Sequence, residues 1–172
     1  CLRERGADAA FLATGQIGIA ISGGGIPLDA FRVDHASGAV ERMVLEAGER
    51  AIQIIEGQGS LLHPGSTATL PLLRGSCANR MILCHRAHME HLDTLEHVRV
   101  PPLPEVIALY EGLAGAAGAL TPARVVGIAL NTRALSDEEA WQATERVTAQ
   151  TGLPATDPVR FGAAPLADAL VG

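Results

Sequence analysis

The stretch Ile52-Gln53-Ile54-Ile55-Glu56-Gly57-Gln58-Gly59-Ser60-Leu61-Leu62-His63-Pro64-Gly65 decides how this chain is read. A short apolar strand, Ala51–Ile55, ends in a carboxylate. Two glycines, an amide, a hydroxyl and an imidazole follow at once. In an open α/β sheet, ligands bind at the carboxyl ends of the strands. A polar cluster at such an end reads as a site rather than a decorated turn.

The same alternation continues outward from this stretch. Upstream, Ala9–Ala13 is an apolar run that ends in Thr14-Gly15-Gln16. The Gly-rich segment Ile17–Pro27 reads as a loop over the sheet edge. Asp34–Gly48 reads as a helix, with Val40, Met43, Val44 and Ala47 at helical spacing. Downstream, Ser66–Leu73 is a short helix or loop, and Arg80–His85 is a third strand. Pro104 suits the first turn of a helix over Glu105–Ala116. Arg124–Leu130 is a fourth strand, ending at Asn131-Thr132. Ser136 with Glu139 three residues on is a capping box that opens a helix to Gln150. Pro154–Phe161 gives a last short strand and turn, and Leu166–Val171 a helical stub. Continuously apolar strands alternating with helices predict a three-layer α/β fold with a mostly parallel sheet covered on both faces. With no repeat or linker, residues 1–172 read as one domain.

Composition narrows the function. Charged residues are 19% and hydrophobic residues 48%, a globular balance. Aromatic residues are only 3%, so the core must be built from Ala, Val, Leu and Ile. The net charge of −6, with no basic patch, argues against nucleic acid or a membrane surface as partner. All 13 basic residues are arginine. Without lysine, neither Schiff-base chemistry nor a lysine-bearing phosphate loop can come from these residues. Cys1, Cys77 and Cys84 are odd in number and lack a C-x-x-C spacing, which fits a reducing cytoplasm better than a disulfide or zinc framework. Cys1 to Gly6 reads as the last turn of a helix stopped by Gly6, without an initiator Met, and so as the start of a fragment.

Polar residues recur just after strands: Thr14-Gly15-Gln16, Glu56-Gly57-Gln58-Gly59-Ser60, His85, Asn131-Thr132 and Asp157-Pro158-Val159-Arg160. In one parallel sheet these ends share an edge and would meet in one crevice. Thr14-Gly15-Gln16-x-Gly18, Glu56-Gly57-Gln58-Gly59-Ser60-Leu61-x-His63-Pro64, Gly127-Ile128-Ala129-Leu130-Asn131-Thr132 and Asp157-Pro158-Val159-Arg160-Phe161-Gly162 resemble, in that order, the DgcN family of D-glutamate N-acetyltransferase-like proteins. The resemblance implies a P-loop NTPase-like domain, similar to dethiobiotin synthetase, that lacks its first strand and phosphate loop here. It also implies acetyl transfer from acetyl-CoA to the amino group of a D-amino acid such as D-glutamate. A small-molecule substrate, a cytoplasmic site and a homo-oligomer formed through a longer protein follow as expectations. The alternatives are a nucleotide- and Mg²⁺-dependent kinase or ligase of the same class, and a metabolite-binding domain without turnover.

Such a transfer needs a base, oxyanion donors and groups for the substrate carboxylates. Glu56 is the candidate base or metal ligand, or else a carboxylate capping a neighbouring backbone. His63 is a proton shuttle, or a loop histidine held by a backbone carbonyl. Gln58, Ser60 and the amides of Gly57 and Gly59 are candidate donors. Gln16 sits where a switch-like residue would face the phosphates, and Thr14, Gly15, Asn131 and Thr132 are further candidate binding groups. Arg160 would pair with a substrate carboxylate, although a bridge to Asp157 is the favoured reading. His85, His88 and His91 invite a metal reading, but their spacing suits a polar surface loop better, and no metal ligand is assigned. Cys84 inside an apolar strand reads as a small hydrophobe rather than a nucleophile.

Overall fold

The structure, a computed structural model, describes residues 1–172. It divides into two compact units, Leu2–Ala78 and Asn79–Gly172.

In the first unit, a single turn of 3-10 helix at Arg3–Arg5 is closed by Gly6, whose left-handed backbone donates its N–H to Arg3 O. Strand β1 (Ala9–Leu12) then pairs in parallel with β2 (Ile52–Ile55), with Ala9 opposite Ile52 and Leu12 opposite Ile55. Between them lie helices α1 (Gln16–Ser22) and α2 (Val33–Glu46), and α3 (Thr69–Ser76) follows. Helix α1 occupies part of the segment expected to be a loop. It is a short helix bracketed by Gly15 and a left-handed Gly23, and only Gly18 is buried. Its isoleucines Ile17 and Ile21 stand 77% and 81% exposed, so no apolar periodicity toward a core announced it. Leu28, Ala36, Val40 and Leu72 form the core, with Ile55 of β2 packed against it. The strands of this unit are partly covered rather than fully buried. Every residue of β1 and β2 keeps some exposure, and Phe11 is 41% exposed.

The second unit carries β3 (Arg80–Arg86), β6 (Arg124–Asn131) and β7 (Ala155–Thr156) in one parallel sheet, ordered β3-β6-β7. Helices α4 (Leu103–Ala114), α5 (Asp137–Thr151) and α6 (Ala164–Val171) complete the alternation. Ile128 and Leu130 of β6 are fully buried, as is Ala140 of α5. No aromatic ring is among the buried residues of either unit, as the composition requires. Gly127 lets α6 close on β6, since a Cβ there would lie 2.8 Å from Leu166 Cδ2. The capping box forms as expected: Ser136 Oγ accepts from Glu139 N, and the Glu139 carboxylate accepts from Ser136 N.

One element was missed outright. The stretch expected to be a polar loop contains an antiparallel hairpin, β4 (His91–Leu92) with β5 (Leu95–Arg99). Leu92 faces Leu95 across the two-residue turn Asp93-Thr94, and the Asp93 carboxylate grips both terminal nitrogens of Arg86. Such a short hairpin has too few residues to display a period of two.

Gly75 sets the approach of α3 to α2, because a Cβ there would lie 2.2 Å from Ser37 O and 2.8 Å from Val40 Cβ. Gly75→Ala therefore forces the two helices apart and lowers unfolding free energy by about 1–3 kcal/mol. Denaturant unfolding of the chain checks this, and an unchanged midpoint would contradict the packing described.

Candidate functional site

The first unit gathers Thr14, Gly15, Glu56 and Gln58 at the carboxyl ends of β1 and β2. The parallel ladder runs on past the strands, with Glu56 N donating to Leu12 O at 2.9 Å. The Glu56 side chain then turns back. Its Oε2 accepts the N–H of Thr14 and the N–H of Gly15, both at 2.9 Å. Thr14, fully buried, donates Oγ1 to Glu56 O at 2.9 Å. Gln58 Nε2 donates to Thr14 O. This packing excludes side chains at two glycines. A Cβ on Gly18 would lie 2.2 Å from Glu56 Oε2, and one on Gly15 would lie 2.7 Å from Gln58 Nε2. The capping role foreseen for Glu56 is thus present in one oxygen, while Oε1 takes no hydrogen bond from the chain.

The loop after Glu56 is fastened to the start of α3. Thr69 Oγ1 donates to Gln58 O at 2.9 Å and lies 2.9 Å from Ser66 Oγ, which accepts Ser60 N at 3.1 Å. Gly59 sits at φ +69°, and a Cβ there would lie 2.1 Å from Ser66 Oγ, so the backbone angle and the close approach both require glycine. Ser60 Oγ accepts Leu62 N at 3.2 Å. His63 is anchored through Nδ1, which accepts the N–H of Gly65 at 3.1 Å. The loop histidine is therefore held by a backbone donor, not by the carbonyl expected. With Nδ1 an acceptor, the neutral ring carries its proton on Nε2. Gly57 is exposed, and a side chain there would meet nothing within 4 Å. Gln16 reaches Asp29 only weakly, at 3.5 Å, and is exposed.

In the second unit, the strand-end groups form a separate network around Asp157. Its Oδ2 accepts from Thr132 N at 3.0 Å and from Thr132 Oγ1. Its Oδ1 accepts from Val159 N at 2.9 Å and Arg160 N at 3.2 Å. Burial alone would push this carboxyl up, but the four hydrogen bonds outweigh it and hold Asp157 below the ordinary carboxylate range. The bridge expected between Arg160 and Asp157 is not formed. Arg160 pairs with Asp137 at the start of α5 and donates to Leu135 O at 2.6 Å and Thr132 O at 3.4 Å. The reason is competition: Asp157 is already filled by its own turn and by Thr132. Asn131 Oδ1 accepts Arg133 N at 3.0 Å, shaping the same loop.

His85, His88 and His91 do not come together as ligands, and no group of three or more His, Cys, Asp or Glu is placed to hold a metal ion. Burial, and then the neighbouring Arg86 charge, pull the His85 imidazole below its usual value. Cys84 keeps an open surface although its strand is apolar, and burial of the thiol pushes its value up, which disfavours the thiolate. Sequence reasoning missed Ser66, Thr69 and Asp137. These hydroxyls and this helix-start carboxylate read as ordinary caps until the loops they fasten are seen.

Residues 1–167 match the model of a family described as a domain of unknown function, DUF1611_C, a P-loop domain. The chain belongs to this family. It is 39% identical over 170 residues to a Tritonibacter scottomollicae protein named D-glutamate N-acetyltransferase, covering 98% of this chain and 50% of that protein. A Pseudoalteromonas protein of the same name is 38% identical over 162 residues, covering 94% of this chain and 48% of its own length. The chain thus spans about half the length of the curated relatives it matches. A crystal structure of a DUF1611 family protein from Anabaena variabilis superposes with a TM-score of 0.96 at 54% identity, over 99% of this chain and 50% of that one. The fold is therefore that of an α/β P-loop domain with parallel sheets. No helix is long and apolar enough to cross a membrane.

Asp157 makes a specific acid-stability prediction. Its folded value lies below the unfolded value of about 3.9, so its stabilisation is complete above that pH and disappears as pH falls through the folded value. Asp157→Ala leaves the buried Thr132 donors unmatched and lowers stability at neutral pH by about 2–3 kcal/mol. The variant's stability should also fall less steeply than wild type below about pH 4. Urea unfolding across pH 3 to 7 measures both, and parallel pH profiles would contradict the assignment.

Proposed function

We propose that this chain is part of an N-acetyltransferase that moves the acetyl group of acetyl-CoA to the amino group of a D-amino acid such as D-glutamate. The observation that carries the reading is the divided carboxylate of Glu56. One oxygen is fixed by two backbone N–H groups at the ends of β1 and β2, and the other is left without a partner in the chain. The two relatives named D-glutamate N-acetyltransferase, which align over nearly all of these residues, supply the reaction class.

In this reading, Glu56 Oε1 takes a proton from the substrate ammonium, freeing the amine. The amine nitrogen attacks the thioester carbonyl and the C–N bond forms. The resulting oxyanion meets the backbone N–H groups of Gly57 and Gly59. The intermediate then gives up its second nitrogen proton and collapses, the C–S bond breaks, and the departing thiolate takes up that proton. With Gly65 N–H on Nδ1, His63 keeps an Nε2–H that donates a hydrogen bond to the leaving sulfur. The exposed Gly57 leaves room for a ligand to approach the backbone. The kinase or ligase alternative draws support from the P-loop family description, since a carboxylate at Glu56 would equally suit Mg²⁺.

The test is thiol release from acetyl-CoA with D-glutamate in the complete protein that carries this chain. Glu56→Gln keeps an acceptor for Thr14 and Gly15 but removes the base, so kcat should fall about 10²–10⁴-fold with little change in KM. Absence of thiol release, with Mg²⁺-dependent phosphate release from ATP instead, would replace this reading with the kinase or ligase one.

A further inference from the structure

The second unit contains a cleft of about 410 Å³ that none of the strand-end networks uses. It lies among the end of β3, the β4–β5 hairpin, the start of α4 and one face of α5. Its apolar lining includes Leu103, fully buried Leu130 and Val147. Its polar lining includes Arg99 and Arg146, with Glu90 the single carboxylate. Five other arginines, Arg42, Arg50, Arg86, Arg124 and Arg160, hold acidic partners. Arg99 and Arg146, like Arg32, Arg74 and Arg133, make no ion pair or side-chain hydrogen bond, and of these five only Arg99 and Arg146 line the cleft. Two unmatched guanidiniums over an apolar floor, in a protein with acid groups to spare, are arranged for an acid from outside the chain.

We infer that this cleft binds a small organic anion, its carboxylate or phosphate held by Arg99 and Arg146 and its short apolar body seated on Leu103 and Val147. Guanidinium forks suit both oxyanions, because each offers paired oxygens to parallel N–H donors. The volume is in the range of small-metabolite sites, and the mix of an apolar lining with a few charged groups is the usual composition of such sites. His85 also lines the cleft; with its value pulled down it stays neutral at pH 7 and offers a hydrogen bond without adding charge. The inference does not rest on the acetyl-transfer reading, because none of the cleft's lining residues was assigned to that chemistry.

The experiment is an NMR titration of the whole chain, following arginine side-chain N–H and leucine methyl signals. The probes are hexanoate, hexyl phosphate and hexanol. At least one of the two anions should give saturable shifts at Arg99, Arg146 and Leu103, with hexanol at least tenfold weaker, or about 1.4 kcal/mol. The tighter of the two anions identifies the head group. Arg99→Gln and Arg146→Gln should each weaken that anion about tenfold, while Arg146→Lys keeps part of the affinity. Both arginines are exposed and unpaired, so these variants should fold, and the dispersion of their spectra verifies it. No saturation with either anion, equal binding of hexanol, or affinity untouched by both glutamine variants would overturn the inference.

Discussion

One carboxylate, Glu56, sets the geometry of the first unit's strand ends. A parallel two-stranded ladder is a weak element by itself, and β1 and β2 here are only partly covered. What ties their ends together is the return of the Glu56 side chain to the N–H groups of Thr14 and Gly15, with the Thr14 hydroxyl returned to Glu56 O. Charge-assisted bonds of this kind are about twice as strong as neutral ones. The glycines at 15 and 18 follow from it, because each leaves space that the Glu56–Gln58 pair fills. So does the fully buried threonine, whose donors would otherwise lie unsatisfied.

The second unit reaches the same solution with different residues. There the carboxylate after β7, Asp157, accepts both the N–H and the hydroxyl of Thr132, which follows β6. In both units a buried threonine just past one parallel strand is bonded to a carboxylate just past its neighbour. The difference lies in what remains. Asp157 has both oxygens engaged, and the Arg160 guanidinium beside it is taken up by Asp137 and two carbonyls. Glu56 keeps an oxygen in reserve. That contrast marks Asp157 as a scaffold group and is what the role proposed for Glu56 rests on.

Much of this was legible in the sequence. The long strands and helices were visible from apolar runs and helical spacing, and the Ser136 capping box from two residues. The polar strand ends marked both networks. What escaped was short or governed by competition. Helix α1 turns its isoleucines outward, so its periodicity pointed to no core. The β4–β5 hairpin rests on two paired positions and an Arg86–Asp93 contact, too little pattern to read. Arg160 was assigned to the carboxylate nearest in sequence. The structure gives it Asp137, 23 residues away, because Asp157 had no lone pairs to offer.

The most direct test of the central claim is hydrogen exchange at the Thr14 and Gly15 amides, measured by NMR in wild type and in Glu56→Ala. If Glu56 ties the two strand ends together, protection at both amides drops at least about tenfold in the variant, the equivalent of a lost charge-assisted bond of about 1.5 kcal/mol or more. Amides around Asp157 should exchange as before. Unchanged protection at Thr14 and Gly15 would contradict the account.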